Sequence, residues 1–354
     1  MRSILFIADA RSIHSHKWIN YISKKSNLKV TWVSLKKSNY KFEKNINFIN
    51  IEKNFLANCF KVFKVLFFSK PNLVHLHYVG YHSLFLIFLR NKSKLIINTW
   101  GSDIALKKRD FLKILWLKYL IQKSHLVLSD AYHHFDYLKN FGLRENKFKY
   151  LPYGTDIEIF SSNKNCFSSN NYTVIHTRGL DEIYDVKTFL KAAKLVIDKD
   201  NKFFFKVIGT GPKQNELQEY SRILKINDKV SFVGQLSQVD LKNEINKSDI
   251  YVSCALEDGG IAGSTSEAMA CQRLVIITNN SDNHLWINNE INGYLFNNGD
   301  YKKLSELIIN SLKDIPKSIK IANKAREKIV ELNSYDKQMD KVLKLYDSIL
   351  QNKK

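Results

Sequence analysis

The sequence predicts an α/β protein of two domains, each a parallel sheet flanked by helices, and three observations predict it. Short β-branched or aromatic runs alternate with longer helical stretches along the whole chain. At 354 residues the chain is too long for one ordinary domain and suits two. A polar stretch without periodicity, residues 161–171 (SSNKNCFSSNN), falls between two sets of candidate strands and reads as an interdomain linker. With 44% hydrophobic and 25% charged residues, the composition is that of a soluble globular protein with real cores.

The first set of candidate strands is 4–8, 29–35, 46–51, 73–77, 95–99, 126–129 and 149–152. The second is 173–177, 203–208, 230–233, 250–254, 274–278 and 294–296. The expected domains are therefore 1–160 and 161–334, followed by a terminal helix within 335–354. That helix carries Met339, Val342, Leu343, Leu345 and Ile349 as an apolar stripe, buried either on the second domain or back on the first. Two such halves are expected to face each other across a cleft outside the carboxyl ends of both sheets, where open α/β folds bind ligands. The opening MRSILFIADARS has an apolar run that breaks at Asp9, so it reads as a first strand rather than a leader. No stretch reaches the roughly 18 apolar residues of a membrane span. Cys59, Cys166, Cys254 and Cys271 stand far apart, without metal-ligand spacing, and read as incidental reduced thiols.

The net charge of +21 is unevenly spread. Residues 1–155 hold 27 Lys and Arg against 8 Asp and Glu, and the remainder holds 28 against 26. The first half thus carries nearly all of the excess, and it is expected to meet something anionic: a membrane surface, a phosphorylated acceptor or nucleic acid. An AT-rich genome, which inflates Lys everywhere, explains the abundance of Lys but not the near-neutral second half.

The most informative stretch is 249–296, which reads as strand, glycine-bearing loop, helix, strand, loop, helix. In Asp258-Gly259-Gly260-Ile261-Ala262-Gly263 the glycines let backbone amides approach a ligand unobstructed. Ser264-Thr265-Ser266-Glu267 then opens a helix, whose free N–H groups and dipole suit a phosphate. Glu267, placed in the first turn, either accepts from sugar hydroxyls or merely complements the dipole.

This stretch resembles the donor-binding core of glycosyltransferase family 4, retaining enzymes of the GT-B fold, with its E-x7-E-A-M-A signature. The residues that carry the resemblance are Glu267-Ala268-Met269-Ala270, Val275-Ile276-Ile277-Thr278, Asn283 to Ile287, and Asn292 to Phe296. Thr177-Arg178-Gly179-Leu180 looks like the element whose Arg holds the donor diphosphate, a task suited to a planar, permanently charged guanidinium. Val207 to Pro212 is similar to the family's G-x-G-P turn, through Gly209 and Gly211, and Val233-Gly234 to its F-x-G strand. In the first half, Val74 to Tyr78 resembles the H-x-H strand, Thr99 to Asp103 the T-x-H-G-x-D element, and Leu151 to Asp156 the P-N-G-V-D segment.

The resemblance implies two Rossmann-like domains. It implies donor contacts from Arg178, Gly179, Gly209, Gly211, Gly259, Gly260, Ile261 and Glu267, with Glu267 on the ribose. His14, His77, Trp100 and Asp103 are the acceptor-side candidates, and Asp103, Arg178 and Asp258 the catalytic ones. Three departures limit the match. The first Glu of E-x7-E is replaced by Gly259, leaving Asp258 or Glu257 to contact the transferred sugar. The Lys expected after the diphosphate Arg is absent; Ile183-Tyr184-Asp185 stands there, with Lys187 beyond. The acceptor-side His is Trp100, which can stack on a sugar or pack, so Asp103 is left to contact or deprotonate the acceptor.

Two other patterns are decoys. Gly209-Thr210-Gly211 lacks the third glycine of a dinucleotide fingerprint, since Gln214 stands there. Asp198-Lys199-Asp200 has no supporting ligands and reads as a solvated turn, so neither metal nor cofactor is expected. The function implied is sugar transfer from a nucleotide-sugar, a UDP-sugar favoured, to a lipid-linked or oligosaccharide acceptor of bacterial surface polysaccharide. The expected location is the cytoplasm, peripheral on the inner face of the cytoplasmic membrane, through the amphipathic stretches 55–68 and 107–123. A GT-B sugar-nucleotide epimerase is the alternative. A nucleic-acid-binding protein explains the basic half but not the motifs, and no nucleic-acid partner is expected.

Overall fold

The structure is a computed structural model and describes residues 2–51, 55–89, 92–105, 110–162 and 164–351. The chain forms two compact units, Met1–Tyr153 with Asp336–Lys354, and Gly154–Tyr335. The division follows backbone pairing inside the second unit. The Thr155 amide donates to Asn333 O (2.7 Å) and Thr155 O accepts from the Tyr335 amide (2.9 Å), which lace that unit's two ends together.

Among the described residues the first unit holds seven strands: β1 (Ser3–Ile7), β2 (Lys29–Ser34), β3 (Asn47–Asn50), β4 (Leu73–His77), β5 (Lys94–Thr99), β6 (Leu126–Ser129) and β7 (Phe148–Tyr150). They pair in parallel in the order β3-β2-β1-β4-β5-β6-β7. Their cores are near-continuous hydrophobic runs because helices cover both faces of such a sheet. Phe6 of β1 faces Trp32 on one side and His75 on the other, all fully buried. The strand order reverses between β1 and β4, which opens a crevice at their carboxyl ends.

The helix Tyr335–Gln351 completes this unit with residues 336 onward. Its stripe buries Met339 and Val342, and also Tyr346. The Tyr346 hydroxyl accepts from Trp18 Nε1 (3.0 Å) and contacts His75 Nδ1 at 2.5 Å.

The second unit holds β8 (Tyr172–His176), β9 (Phe203–Ile208), β10 (Val230–Gly234), β11 (Ile250–Ser253), β12 (Leu274–Thr278) and β13 (Tyr294–Phe296). They too are parallel, in the order β10-β9-β8-β11-β12-β13, and the reversal lies between β8 and β11. Phe189 and Val196 of the helix Val186–Lys199 pack with Phe203 and Phe205 of β9 in one core.

The stretch 161–171 is not the free linker its composition suggests. Cys166 and Phe167 are buried in the second unit's core. Arg273, itself only 1% exposed, donates to Ser162 Oγ (3.1 Å) and Lys164 O (2.5 Å). Asp249 accepts the Phe167 amide at 2.5 Å. A buried guanidinium and a buried carboxylate satisfy this segment's polar groups, so it folds as part of the unit. Asn163 lies outside the described residues.

Candidate active site

In the second unit, three loops converge at the carboxyl ends of β8, β11 and β12. Arg178 follows β8 and Asp258 follows β11, and the two form an ion pair of 2.7 Å with side chains 14% and 2% exposed. Asp258 is further held by Asn283 Nδ2, which donates to its Oδ2 at 3.3 Å, and by its own amide on Ser281 Oγ (3.2 Å). The Arg178 guanidinium lies over the Tyr184 ring at 4.7 Å, while its Nη1 is buried without a partner. Burial opposes the charge, but Asp258, with Tyr251 and Tyr184, outweighs it and raises the guanidinium above its ordinary pKa. The arrangement is a fixed cation with one donor still to satisfy.

The glycines here serve the backbone first. A Cβ on Gly209, whose φ is 136°, would collide with Arg178 O, and one on Gly211 with Leu180 O. The turn thus lies flat against the strand end that carries Arg178, tied by the Leu180 amide to Thr210 O at 3.1 Å. Gly179 leaves room for Tyr184, whose Cε2 would lie 2.8 Å from an added Cβ. These glycines set where Arg178 sits.

The helix after the glycine loop is Gly263–Ala270, and its N-cap, Ala262, makes no side-chain hydrogen bond. Its first intrahelical bond runs from the Ser266 amide to Ala262 O (3.0 Å), leaving the amides ahead of it for a ligand. Tyr251, fully buried, joins this helix to the ion pair. Its hydroxyl bonds Ser264 Oγ (2.8 Å), and burial raises its pKa against the pull of the Arg178 charge. Glu267 lies one turn later than expected: the helix starts at Gly263, so the residue sits half-buried in the second turn, where the dipole explains it poorly. Gly259 is exposed, Gly260 buried at φ 90° and Ile261 half-buried. Of the two acidic alternatives, Asp258 is buried on Arg178 and Glu257 is exposed. Lys187 pairs with Glu216 at 2.5 Å.

In the first unit, three of the acceptor-side candidates cluster over β1, β4 and β5. The Trp100 ring lies 5.9 Å from that of His14 and 6.0 Å from that of His77, centroid to centroid. His77 is fully buried, with Nδ1 3.2 Å from Ser15 Oγ and Nε2 without a partner. Burial, assisted by His82, lowers its pKa to about 3, so the ring is neutral at physiological pH. A cavity of about 640 Å³ opens here, bordered by His77 and Trp100 with Ser12, Ser15, Arg11 and Tyr78. Asp103 does not face it as a free base. Its Oδ1 accepts the Trp100 amide and its Oδ2 the Val79 amide, both at 2.9 Å, and it is 5% exposed. Burial raises its pKa against these bonds, and its geometry braces the loops after β4 and β5.

Sequence reasoning missed Tyr184 and Asn283 as parts of the site. Tyr184 occupies the stretch where a Lys was sought, and an aromatic in the same loop as an Arg is a signal for stacking. Asp198 pairs with Lys194 at a helix end, and Asp200 accepts from the Lys202 amide, as a solvated turn does. Among the described residues, no three His, Cys, Asp or Glu side chains gather as metal ligands do, and no helix is long and apolar enough to cross a membrane.

Two parallel sheets with ligand-ready crevices at their strand reversals, one holding a buried guanidinium beside an open helix start, define a group-transfer enzyme of the GT-B fold. The family described as glycosyl transferases group 1 matches residues 158–328, and that described as glycosyl transferase 4-like matches residues 3–131. The chain belongs to the group 1, family 4 glycosyltransferases and is a glycosyltransferase. Its fold is similar to that of sucrose-phosphate synthase from Thermosynechococcus elongatus (TM-score 0.82, 15% identity, 100% of each chain). It is also similar to a glycosyltransferase from Rickettsia africae (0.82, 17%, 99% of each) and to Anabaena HepE in complex with UDP (0.80, 15%, 98% of this chain and 100% of that one). No curated protein sequence matches it.

Proposed function

We propose that the chain transfers a sugar, with retention, from a UDP-sugar to a lipid-linked glycan at a membrane surface, as in bacterial surface polysaccharide assembly. The observation that carries the donor half is the Arg178–Asp258 pair, with Nη1 unsatisfied, beside the uncapped helix start. Negative charge grows on the diphosphate oxygen as the bond to the sugar breaks, and preorganised donors at that oxygen are the largest source of acceleration. Arg178 and the amides of the glycine loop and helix supply them. Asp258 holds Arg178 in place and offers an oxygen to the transferred sugar, and Glu267 takes the ribose. Structures of Anabaena HepE with UDP and with UDP-glucose support the choice of nucleotide.

The membrane half rests on exposed apolar surface in the basic unit. Leu56, Phe60 and Phe68 are exposed on the segments Phe55–Lys64 and Val65–Ser69, with Lys61 and Lys64 among them. Ile87 and Phe88 of the segment Tyr81–Phe88 are exposed too, and the Phe63 and Phe88 rings meet at 5.2 Å, so the patch is continuous. Monomeric soluble proteins rarely leave such patches bare. Lysines beside them add about 1 kcal/mol each at an anionic bilayer. The expected basic start of the second amphipathic stretch, Lys107-Lys108-Arg109, lies outside the described residues.

Thermal unfolding with UDP-, GDP- and TDP-sugars tests the donor. The UDP compounds are expected to raise Tm, worth about 2.7 kcal/mol at a hundredfold excess over Kd. A flat response to all three overturns the donor assignment. Incubation without acceptor separates transferase from epimerase: slow hydrolysis supports transfer, and an epimerised donor refutes it.

A further inference from the structure

Arg178 is held from two directions that differ in what they take from it. Asp258 meets the edge of the guanidinium at 2.7 Å, and the Tyr184 ring lies against its face at 4.7 Å. A guanidinium carries its N–H donors around its edge and none on its face. A carboxylate therefore holds it by engaging donors, whereas a π face holds it and leaves every donor free. An ion pair at the edge also lets the plane turn about that contact, and a ring packed on the face removes this freedom. Nη1, buried and without a partner, is the donor that the arrangement keeps available.

The backbone fixes the ring as firmly as the ring fixes the cation. Tyr184 ends the short turn Glu182–Tyr184, which Asp181 opens by accepting the Glu182 amide on Oδ1 (2.7 Å). Asp185 closes the turn and caps the helix Val186–Lys199 by accepting the Thr188 amide (3.3 Å). Ile183 O accepts the Leu256 amide (2.8 Å), and Asp258 stands two positions beyond Leu256. Ring and carboxylate thus ride on loops joined by a backbone bond. On the strand side Gly179 carries no Cβ, and one added there would lie 2.8 Å from Tyr184 Cε2 and push the ring away. We infer that Tyr184 is a positioning residue for the diphosphate site. Its ring fixes the plane of the Arg178 guanidinium from the side that engages no donor, so the free edge meets the anion already oriented. The inference rests on the diphosphate role proposed above for Arg178.

The test uses the full chain with UDP and uridine as probes, which differ only in the diphosphate. Calorimetry measures the Kd of UDP, and ligand-observed NMR that of uridine. Tyr184→Leu keeps an apolar side chain but removes the π face. It is expected to weaken UDP binding about tenfold and to leave the Kd of uridine within about twofold. Tyr184→Phe is expected to hold UDP within about twofold of wild type, since the ring remains. In an Arg178→Ala background, Tyr184→Leu is expected to change the Kd of UDP by less than about twofold, because the ring then has no cation to hold. Equal losses for UDP and uridine mean that the ring only packs, and they overturn the inference. So does a Tyr184→Phe variant as weak as Tyr184→Leu, which places the effect in the hydroxyl. The full loss persisting without Arg178 overturns it too, since the ring then meets the nucleotide directly. The uridine comparison and the Phe variant need no folded double variant. Wild-type protein that binds UDP no tighter than uridine refutes the diphosphate site itself, and the positioning role falls with it.

Discussion

The two units build their crevices at the same topological position and furnish them with opposite chemistry. Between β8 and β11 stands a buried ion pair on an aromatic ring, with a helix start beside it. Between β1 and β4 stand uncharged rings, His77 and Trp100, with Asp103 held by backbone amides and Asp9, which borders the same cavity, paired with Arg11 at 2.7 Å. The basic excess of the first half is thus spread over its surface, whereas the near-neutral second half buries its key charge. A diphosphate leaving group needs a cation fixed in a dry place. A neutral sugar hydroxyl needs shape, stacking and a neutral ring nitrogen.

The strongest way to break this comparison is to remove the buried cation. Arg178→Ala is expected to lower kcat by about a thousandfold while acceptor KM changes little. Turnover within a few-fold of wild type in a coupled UDP-release assay removes Arg178 from the diphosphate. Asp258→Asn leaves that cation uncompensated, and urea unfolding should show a loss of about 3 kcal/mol. No such dependence is expected at Asp103, whose partners are neutral amides.

Acid should strike both units alike. His77 in the first and His176 in the second have pKa values lowered to about 3, each by burial first. Between about 6.5, the unfolded value, and 3, the unfolded chain binds the extra proton, so stability falls as pH falls. From pH 7 to 5 each histidine should cost about 2 kcal/mol, and His77→Phe should abolish its share. A Tm flat over that range contradicts the burial of both rings. Glu267→Ala should weaken UDP binding about tenfold with the fold intact, as loss of a charged hydrogen bond does. The smallest effect belongs to Glu257→Ala, which should leave kcat/KM within about twofold because an exposed side chain is screened by solvent.

Much of the fold was legible because parallel strands buried on both faces are written as local apolar runs; LVHLH and LVIIT announce themselves. The segment 161–171 was misread because its partners are remote. Nothing near SSNKNCFSSNN reveals that Arg273, 111 positions beyond Ser162, reaches it. Arg178 was legible through its strand-end motif, whereas its support was not. Tyr184 folds back on Arg178 within the one loop after β8, and Asn283 acts through a contact made only once the loops after β11 and β12 meet. The amides on Asp103 were equally hidden: a carboxylate that caps two amides is spelled like one that awaits a proton.

The Tyr346 hydroxyl, set between Trp18 and His75, ties the last helix to the helix Ile13–Lys25 and to β4. On the ribosome the second unit can therefore close first, while the earlier-made unit waits with an open wound over Trp18 until residue 351 has emerged. Anyone who dissects the protein inherits the same arithmetic: the lobe made first can be purified in sound form only when its distant tail is supplied with it.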